Sequence, residues 1–390
     1  MVVGLTLALL LLSLACEAQH SPYSLKFTVS PKEFVDTIPL DYVRGQVLLP
    51  VRFGNKSYRF LFDTGASQTT LFADAIPEGA TPAGFTVSHD AIASRDTVSK
   101  FYLPPMTIGS TTFTGCQATV QQRIGLNPQS IDGIIGFDII CRGLSAKIDV
   151  HNGHLILTDR PDFFQDEPGI SLKYKLNLHV PYVEVCPFGN YRELALFDTG
   201  SRQLYMMNKR SFDKGVRQTK TNLGSQIEGR SMGRHAIGHG GVEPRGEVVF
   251  LALDRLLLGQ FAFCDVHTLT TTGDSHIGSK LLEYGAVVFN PKRRSLCFQP
   301  YGNARSAVVA NQPLDKVVVP VGNRPVVGLV RVGSEPYNLG FREGDIILMI
   351  DQRPVNTFAD YLRFQPVLGC TYTFILCDSN GNLKQVDCIW

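Results

Sequence analysis

One stretch of this chain occurs twice, and this repeat constrains the fold more than any other feature. Residues 53–66 read FGNKSYRFLFDTGA and residues 188–201 read FGNYRELALFDTGS, which align without a gap at a constant offset of 135 residues. A glycine-anchored apolar segment follows each copy, IIGFDIICRGL in the first and HIGSKLLEYGA in the second. Duplication is the simplest account, so we predict two similar lobes that pack about an approximate two-fold axis.

The local patterns within both copies are mostly those of β-strands. Short alternating runs such as GQVLLPVRF and HVPYVEVCPF are separated by Gly, Asn and Pro, which is typical of strands and turns. Helices are predicted only at residues 126–140 and 279–285. We therefore predict an all-β fold with two lobes, residues 19–160 and 161–300, each a closed, barrel-like sheet.

The residue composition of the sequence changes after Pro300. Residues 301–316 are polar and rich in turn formers, which predicts a linker. From Val317 to the end, a third, small β-rich domain is predicted, with a strand in VVGLVRV, a helix in TFADYLRF and a closing hairpin around Asn380 and Gly381.

Composition and targeting signals narrow the choice of partner and compartment. Lys+Arg number 37 and Asp+Glu 35, with no basic stripe, so nucleic acid is not a predicted partner. The apolar start of the chain predicts a signal peptide over residues 1–18, cleaved after Ala18. Export to a periplasm, the medium or the cell surface follows, and a lipid anchor at Cys16 is the alternative. A monomer is expected.

Eight cysteines follow the predicted signal peptide. Their number and spacing favour neither a small domain cross-linked by disulfides nor a metal site. No CxxC pair is present, and several cysteines lie in apolar runs, which favours buried free thiols. A bridge among Cys370, Cys377 and Cys388 stays open. His235 and His239 have no third ligand nearby and are expected to be solvated loop residues, so neither a metal nor a cofactor is predicted.

The two aspartates of the repeat carry the predicted chemistry. A two-fold axis would bring Asp63 and Asp198 face to face, where two like charges cannot both ionise cheaply and the pair holds one proton. Such a pair can act as general acid and general base on an amide without a metal or a covalent intermediate. The residues predicted to support this pair are Thr64, Gly65, Thr199, Gly200 and Ser201 in the two loops, with Ile135, Gly136, Ile277 and Gly278 behind them.

These motifs resemble those of aspartic proteases of the pepsin and retroviral-protease superfamily, over roughly residues 45–300. The resemblance rests on FDTGAS with IDGIIG in the first lobe and on FDTGS with SHIG in the second. It implies two pseudo-two-fold-related acid-protease lobes, catalytic Asp63 and Asp198, and peptides or unfolded proteins as substrates. Ala66 follows the first motif, as in retroviral enzymes, and Ser201 the second, as in pepsin-like enzymes.

Mobile flaps are expected to close over a substrate strand between the lobes. The candidates are residues 89–102 in lobe one and the glycine-rich residues 231–247 in lobe two. Two ordinary surface hairpins are the alternative.

The C-terminal unit resembles a PDZ domain of the type found in bacterial exported proteases, through NLGFREGDIILMIDQRPV. This resemblance implies that a peptide C-terminus binds along a sheet edge near Val326, Val327, Gly328 and Leu329. A small domain that only packs on the protease is the alternative.

An exported aspartic endopeptidase with a recruiting module is therefore the leading hypothesis. A catalytically inactive peptide-binding protein on a protease scaffold is the alternative, although decay would be expected to remove one of the aspartates. A serine or cysteine hydrolase lacks a visible nucleophile elbow.

Overall fold

The computed structural model describes residues 27–89, 95–122, 131–141, 143–219, 223–238, 241–367 and 369–389. The predicted signal peptide, Cys16 and His239 lie outside these residues. Strands dominate all three parts of the chain, so the all-β prediction is confirmed.

The strands of the first repeat build lobe one and part of the sheet between the lobes. In chain order they are β1 (Thr28–Ser30), β2 (Val35–Pro39), β3 (Asp41–Val43), β4 (Gln46–Phe53), β5 (Lys56–Phe62), β6 (Thr70–Phe72), β7 (Thr81–His89), β8 (Arg95–Tyr102), β9 (Met106–Ile108), β10 (Thr111–Thr114), β11 (Gln117–Gln121), β12 (Gly133–Ile135), β13 (Ser145–Asp149) and β14 (His154–Thr158). Eleven of them form one sheet in the order β1-β10-β9-β4-β5-β12-β6-β11-β8-β7, with β3 paired to β4.

The second repeat builds lobe two with a matching order of elements. Its strands are β15 (Ile170–Asn177), β16 (Val180–Phe188), β17 (Tyr191–Asp198), β18 (Tyr205–Asn208), β19 (Ile227–Gly233), β20 (Ile237–Gly238), β21 (Gly241–Val242), β22 (Gly246–Leu258), β23 (Phe261–Thr271), β24 (His276–Gly278), β25 (Gly285–Asn290) and β26 (Ser295–Pro300). Helix α1 (Lys209–Thr219) follows β18, and the side chain of Asn208 accepts a hydrogen bond from the N–H of Ser211 at its start.

The two halves share a sheet that fixes their relative position. β13 pairs with β25 through Ala146 and Phe289, and β14 pairs in turn with β2. The resulting 14-stranded sheet therefore contains strands from both repeats. One continuous hydrophobic core runs through both lobes and includes Phe62, Phe197 and Phe289. The two strands that lead into the Asp-Thr-Gly (DTG) loops, β5 and β17, therefore pack on the same core.

Two segments differ from the predicted secondary structure. In the predicted helix 126–140, residues 133–135 form β12 and residues 137–139 form only a 3₁₀ turn, because this short segment pairs with β5 and β6. In the predicted linker 301–316, β27 (Ser306–Val308) pairs in parallel with β23, so this part of the linker extends the sheet of lobe two. The predicted helical segment 279–285 contains a 3₁₀ turn, Ser279–Glu283.

The C-terminal domain has its own sheet and core. Its elements are β28 (Lys316–Val321), β29 (Arg324–Val330), α2 (Glu335–Asn338), β30 (Ile346–Ile350), β31 (Arg353–Pro354), α3 (Phe358–Arg363), β32 (Thr371–Cys377) and β33 (Leu383–Ile389). The sheet order is β28-β29-β30-β32-β33, with β31 paired to β30. A separate core cluster includes Val327, Phe341 and Phe374.

No disulfide joins any of the eight cysteines that the structure describes, so the bridge left open among Cys370, Cys377 and Cys388 does not form. Among these same residues, no helix combines the length and the apolar character that crossing a membrane requires.

Candidate active site

The two DTG loops leave equivalent positions of the two lobes. Each strand that precedes a loop is held by a parallel neighbour from the downstream glycine segment: Ile135 of β12 lies opposite Phe62 of β5, and Ile277 of β24 lies opposite Phe197 of β17. The N–H of Asp63 also donates to the carbonyl of Ile135 at 2.9 Å. Both aspartates therefore follow immobilised, buried strand ends.

Two threonines tie the loops together across the pseudo-two-fold axis. The hydroxyl of Thr64 donates to the carbonyl of Phe197 at 2.6 Å and accepts from the N–H of Thr199 at 3.1 Å. The hydroxyl of Thr199 donates to the carbonyl of Phe62 at 2.7 Å and accepts from the N–H of Thr64 at 3.0 Å. Both threonines are fully buried, so these four hydrogen bonds satisfy six polar groups and fix the loops to each other.

Main-chain amides hold each carboxyl group in its own loop. Oδ1 of Asp63 accepts from the N–H groups of Gly65 at 2.8 Å and Ala66 at 3.2 Å. Oδ1 of Asp198 accepts from Gly200 at 2.9 Å and Ser201 at 3.3 Å. These four bonds have nearly the same geometry in both lobes, which is the symmetry that the repeat predicted.

The glycines allow the two carboxyl groups to approach the opposite loop. A Cβ atom on Gly65 would lie 2.5 Å from Oδ1 of Asp198, and one on Gly200 would lie 2.5 Å from Oδ2 of Asp63. Any side chain at either position would collide with the opposing carboxyl group. The two aspartates therefore face each other and are joined by a side-chain hydrogen bond.

This environment makes the pair hold a proton. Burial, the charge of Asp198 and the hydrogen bond that Asp63 donates to it raise the pKa of Asp63 well above its ordinary value. Burial also raises the pKa of Asp198, but the hydrogen bond that it accepts from Asp63 and the amides of Gly200 and Ser201 oppose this shift. The pair thus holds one proton between its two carboxyl groups, and its two apparent pKa values belong to the pair as a whole.

The glycine segments support the loops from behind in the same way in both lobes. After Gly136, the N–H of Phe137 donates to the carbonyl of Ala66 at 2.8 Å. After Gly278, the N–H of Ser279 donates to the carbonyl of Ser201, also at 2.8 Å. The predicted supporting residues thus lie directly behind both aspartates.

One supporting residue of lobe one was missed by the sequence analysis. Buried Asp138 accepts from the N–H of Thr69 at 3.1 Å and from its hydroxyl at 3.0 Å, and so fixes the chain that leads out of the first DTG loop. Burial raises the pKa of this carboxyl group to about 6, although the bonds from Thr69 oppose the shift. A charged residue within the apolar run IIGFDII was the available signal, and Lys280 follows the equivalent glycine in lobe two by the same two residues.

The two flap candidates have different surroundings. In lobe one, β7 and β8 form an antiparallel hairpin that exposes the side chains of Phe85 and Val87, while residues 90–94 lie outside the described residues. In lobe two, the end of the β19–β22 hairpin is anchored by buried Glu243, which accepts from the N–H groups of His235 and Ala236 at 2.9 Å. These bonds favour the alternative of an ordinary hairpin for the described part of residues 231–247, and the mobility of this segment stays a prediction.

The C-terminal domain completes this anchoring. The N–H of Arg234 donates to the carbonyl of Gly328 at 2.8 Å, and Nε of Arg245 forms an ion pair with Glu343 at 2.7 Å. Further along, Arg331 donates to the carbonyl of Glu228 at 3.1 Å. The hairpin of lobe two is thus held between its own lobe and the C-terminal domain.

This contact also corrects the predicted peptide groove. The residues named for it, Val326, Val327, Gly328 and Leu329, are all buried in β29, which lies between β28 and β30. The carbonyl of Gly328 is already paired with Arg234, and Leu329 packs against Met206 and Phe250 of lobe two. A peptide cannot add a strand at these four residues.

His235 is buried and not solvated as expected. Its Nε2 lies 2.9 Å from the carbonyl of Thr270 and 3.2 Å from Oε1 of Glu243. Burial lowers its pKa despite the nearby Glu243. No group of three or more His, Cys, Asp or Glu residues in the described ranges is arranged to hold a metal ion.

One family model matches the part of the chain that contains the first of these loops. Residues 49–139, which include the first DTG loop and its glycine segment, match the family model described as Aspartyl protease. The chain is also similar to a solved structure, the aspartic proteinase from Irpex lacteus, at 14% identity and a TM-score of 0.44, over 70% of this chain and 100% of that one. No curated protein matched the sequence. The family match supports an aspartic-type peptidase.

Proposed function

We propose that this chain is an endopeptidase that cleaves peptides or unfolded proteins with a single water molecule activated between Asp63 and Asp198. The observation that carries the proposal is the pair of facing carboxyl groups, each held by two main-chain amides and joined by a hydrogen bond. This arrangement provides one proton donor and one proton acceptor at the same point of the cleft.

The reaction follows from the shared proton. The ionised carboxylate takes a proton from water as the water oxygen attacks the peptide carbonyl carbon, and the protonated carboxyl group donates to the carbonyl oxygen. The resulting tetrahedral diol collapses when one hydroxyl proton returns to a carboxylate and the amide nitrogen is protonated, which breaks the C–N bond. One water is consumed, and no covalent intermediate with the enzyme is formed.

An isosteric substitution tests this proposal directly. Wild-type protein and the Asp63→Asn variant are incubated with an unstructured protein, and new termini are identified by mass spectrometry. Cleavage by wild type alone is the expected result, since an asparagine cannot ionise or relay the proton. The same cleavage pattern from both proteins would assign the activity to a contaminant and overturn the proposal.

An inactive peptide-binding scaffold is the alternative that was left open. Both carboxyl groups and all four amide donors are in place, which favours catalysis over decay. A transition-state mimic of the statine type separates the two, because a tetrahedral hydroxyl group between the carboxyls should bind more tightly than the matching substrate peptide. Equal affinities for mimic and substrate would favour the scaffold.

The proposal extends to the predicted flap of lobe one. An extended substrate would lie between the lobes under the β7–β8 hairpin, whose exposed Phe85 and Val87 offer an apolar face. A Phe85→Ser variant should raise KM for a peptide substrate more than it lowers kcat. An unchanged KM would remove this hairpin from substrate binding.

A recruiting role for the PDZ-like C-terminal domain is a further part of the proposal. Because β29 is internal, the outer edge of β28, which ends the sheet, is the alternative place for a peptide strand. The Asp63→Asn chain should bind peptides with a free C-terminal carboxylate more tightly than their amides. Equal binding would leave the domain with a packing role only.

We also propose export of a monomer with cleavage after Ala18. N-terminal sequencing of the protein from a secreting host should give Gln19 as the first residue. A lipid-modified Cys16 at the N-terminus would instead support the anchored form. Sedimentation of the mature protein at one protomer mass tests the monomer.

A further inference from the structure

Two arginines from different lobes lie close together beside the second DTG loop. Arg202 lies four residues after Asp198 in the second DTG loop, and Arg44 lies in the β3–β4 turn of lobe one. The turn packs directly on Arg202, because a Cβ atom on Gly45 would lie 3.3 Å from the Cβ of Arg202. Both arginine side chains are exposed, so both remain accessible from solvent.

The turn that carries Arg44 is held firmly against lobe two. The hydroxyl of Ser279 donates to the carbonyl of Gly45 and also to that of Ser201, at 2.8 Å for the latter. Arg44 and Gly45 both have positive φ angles, of 52° and 76°. The position of the Arg44 side chain is therefore tied to the same serine that supports the second DTG loop.

The acidic residues near this turn, Glu283 and Asp41, already have partners of their own. Glu283 accepts from the hydroxyl of Tyr42 at 3.1 Å and forms an ion pair with Lys280 at 3.2 Å. Asp41 forms an ion pair with Arg59 at 2.9 Å. Among the residues that the structure describes, neither Arg44 nor Arg202 has an ion-pair or hydrogen-bond partner.

The positive charge of Arg44 affects the pKa of Arg202. Removal from water by the surrounding protein and the positive charge of Arg44 lower the pKa of the Arg202 guanidinium. Two like charges held close together without a counterion are unfavourable unless an anion binds between or beside them.

The other end of the cleft lacks this feature. The turn of lobe two that corresponds to β3–β4 contains Leu178 and His179, and the residue 135 positions before Arg202 is Ser67. At these equivalent positions the described residues of the two lobes therefore differ, and the arginine pair breaks the symmetry of the site.

From this geometry we propose that Arg44 and Arg202 form a subsite for an acidic side chain, Asp or Glu, of the peptide substrate. The inference rests on the proposed peptidase function and adds its substrate class. Guanidinium groups bind carboxylates through charge-assisted, often bidentate hydrogen bonds, which give direction as well as affinity. The acidic residue would fix the direction in which an extended peptide lies across the two-fold axis.

Matched peptides test the subsite. A peptide cut by the wild-type protein is resynthesised with Glu, Gln or Lys at each position around the scissile bond, and kcat/KM is measured for each. At one position Glu should be preferred over Gln by about 10- to 100-fold, the range that a hydrogen bond to a charged group supports. The Arg44→Asn and Arg202→Gln variants should bring this ratio towards one; Asn is chosen because it tolerates the positive φ of position 44.

Two more variants separate a specific subsite from general charge effects. Arg202→Glu should invert the preference in favour of Lys, whereas Arg210→Gln, which removes an exposed charge on α1, should leave the Glu-to-Gln ratio as in wild type. A wild-type enzyme without preference for Glu at any position would overturn the proposal, as would a preference that survives both arginine substitutions.

A binding measurement keeps this inference distinct from the proposed activity. The Asp63→Asn protein is titrated with the same Glu and Gln peptides, alone and with the arginine substitutions added. A Glu preference that depends on the arginines, without cleavage by wild type, would support the subsite and refute the peptidase. Cleavage without any arginine-dependent preference would do the reverse, and the loss of both would refute both.

Discussion

The DTG loops of the two lobes have nearly the same hydrogen bonds, whereas the hairpins of the two lobes have different surroundings. Around the aspartates, each hydrogen bond of Thr64 has its counterpart at Thr199, with lengths that agree closely. In contrast, the β7–β8 hairpin of lobe one exposes Phe85, whereas the β19–β22 hairpin of lobe two is fixed to the C-terminal domain through Gly328. The loops that meet at the two-fold axis are thus alike, whereas the hairpins, which have different neighbours, are not.

This contrast gives the lobes separate roles in the proposed enzyme. If lobe two is clamped, substrate entry and product release depend on movement of the lobe-one hairpin. The following experiments test how far the symmetry of the loops and the asymmetry of the hairpins extend.

The largest expected effect comes from the catalytic pair. Asp63→Asn and Asp198→Asn should each lower kcat by at least about 10²- to 10⁴-fold, because each removes general acid or base function from a pair that works as one unit. Steady-state hydrolysis of a peptide measures the loss, and a cooperative thermal transition shows that each variant is folded. Substantial activity in one variant alone would show that the two aspartates are not equivalent.

The pH profile tests the shared proton. Activity needs one proton on the pair, so it should fall at high pH, where the pair loses this proton, and at low pH, where the pair gains a second one. Because both pKa values are raised, both limbs of the kcat/KM profile should lie above the ordinary aspartate value of 3.8. A profile whose acid limb lies below that value would contradict the buried pair.

The threonine bonds give the next largest effect, on stability. Thr64→Val and Thr199→Val each leave a buried N–H and a buried carbonyl without a partner, at about 1–3 kcal/mol for each group. Urea unfolding should give nearly equal losses for the two variants, with Thr→Ser at the same positions as controls that keep the hydroxyl. Very different losses would break the symmetry of the loops.

The contact with the C-terminal domain has a smaller, local effect. A Cβ on Gly328 would lie 2.5 Å from the carbonyl oxygen of Arg234, so Gly328→Val should loosen the lobe-two hairpin at a cost of about 1–3 kcal/mol. Hydrogen exchange should accelerate at residues 231–238 but not along β7 and β8. Glu343→Gln, which weakens only the exposed ion pair with Arg245, should cost about 0–1 kcal/mol. Uniform acceleration in both lobes would contradict separate roles.

The smallest expected effect is the acid response of the same hairpin. The pKa of His235 is lowered by burial, so the neutral ring stabilises the hairpin fully above the unfolded value of about 6.5, and this stability declines as the pH falls below it. Hydrogen exchange, corrected for intrinsic rates, should therefore increase at residues 231–238 between pH 7.5 and pH 5. The change should be absent from β7–β8 and from a His235→Gln variant.

The sequence predicted those parts of the site that depend on repeated local pattern. The DTG strands, their glycine segments and the supporting threonines follow from two copies of one motif, since equal sequences form equal loops that meet at a symmetry axis. The helix predicted at 126–140 was wrong because an apolar run of this length does not distinguish a helix from a buried strand, and pairing with β5 and β6 decided the outcome.

Features that depend on contacts between distant segments could not be predicted in this way. The glycines of residues 231–247 predict a flexible backbone. In the structure, Glu243 and the C-terminal domain hold this segment through hydrogen bonds. The sequence of the third domain likewise predicts strands, but it does not predict which of them other parts of the chain cover. Asp138 carried a visible signal, a charge in an apolar run, but its partner Thr69 lies 69 residues earlier.

The sequence by itself thus determined the two halves and their two aspartates, because a repeated pattern of strand, turn and glycine encodes local structure that each copy forms on its own. Only the tertiary structure decided which hairpin contacts the C-terminal domain, which strand is internal to its sheet and which arginines lie close together. Those outcomes depend on packing between segments far apart in the chain, where no local pattern records the neighbour.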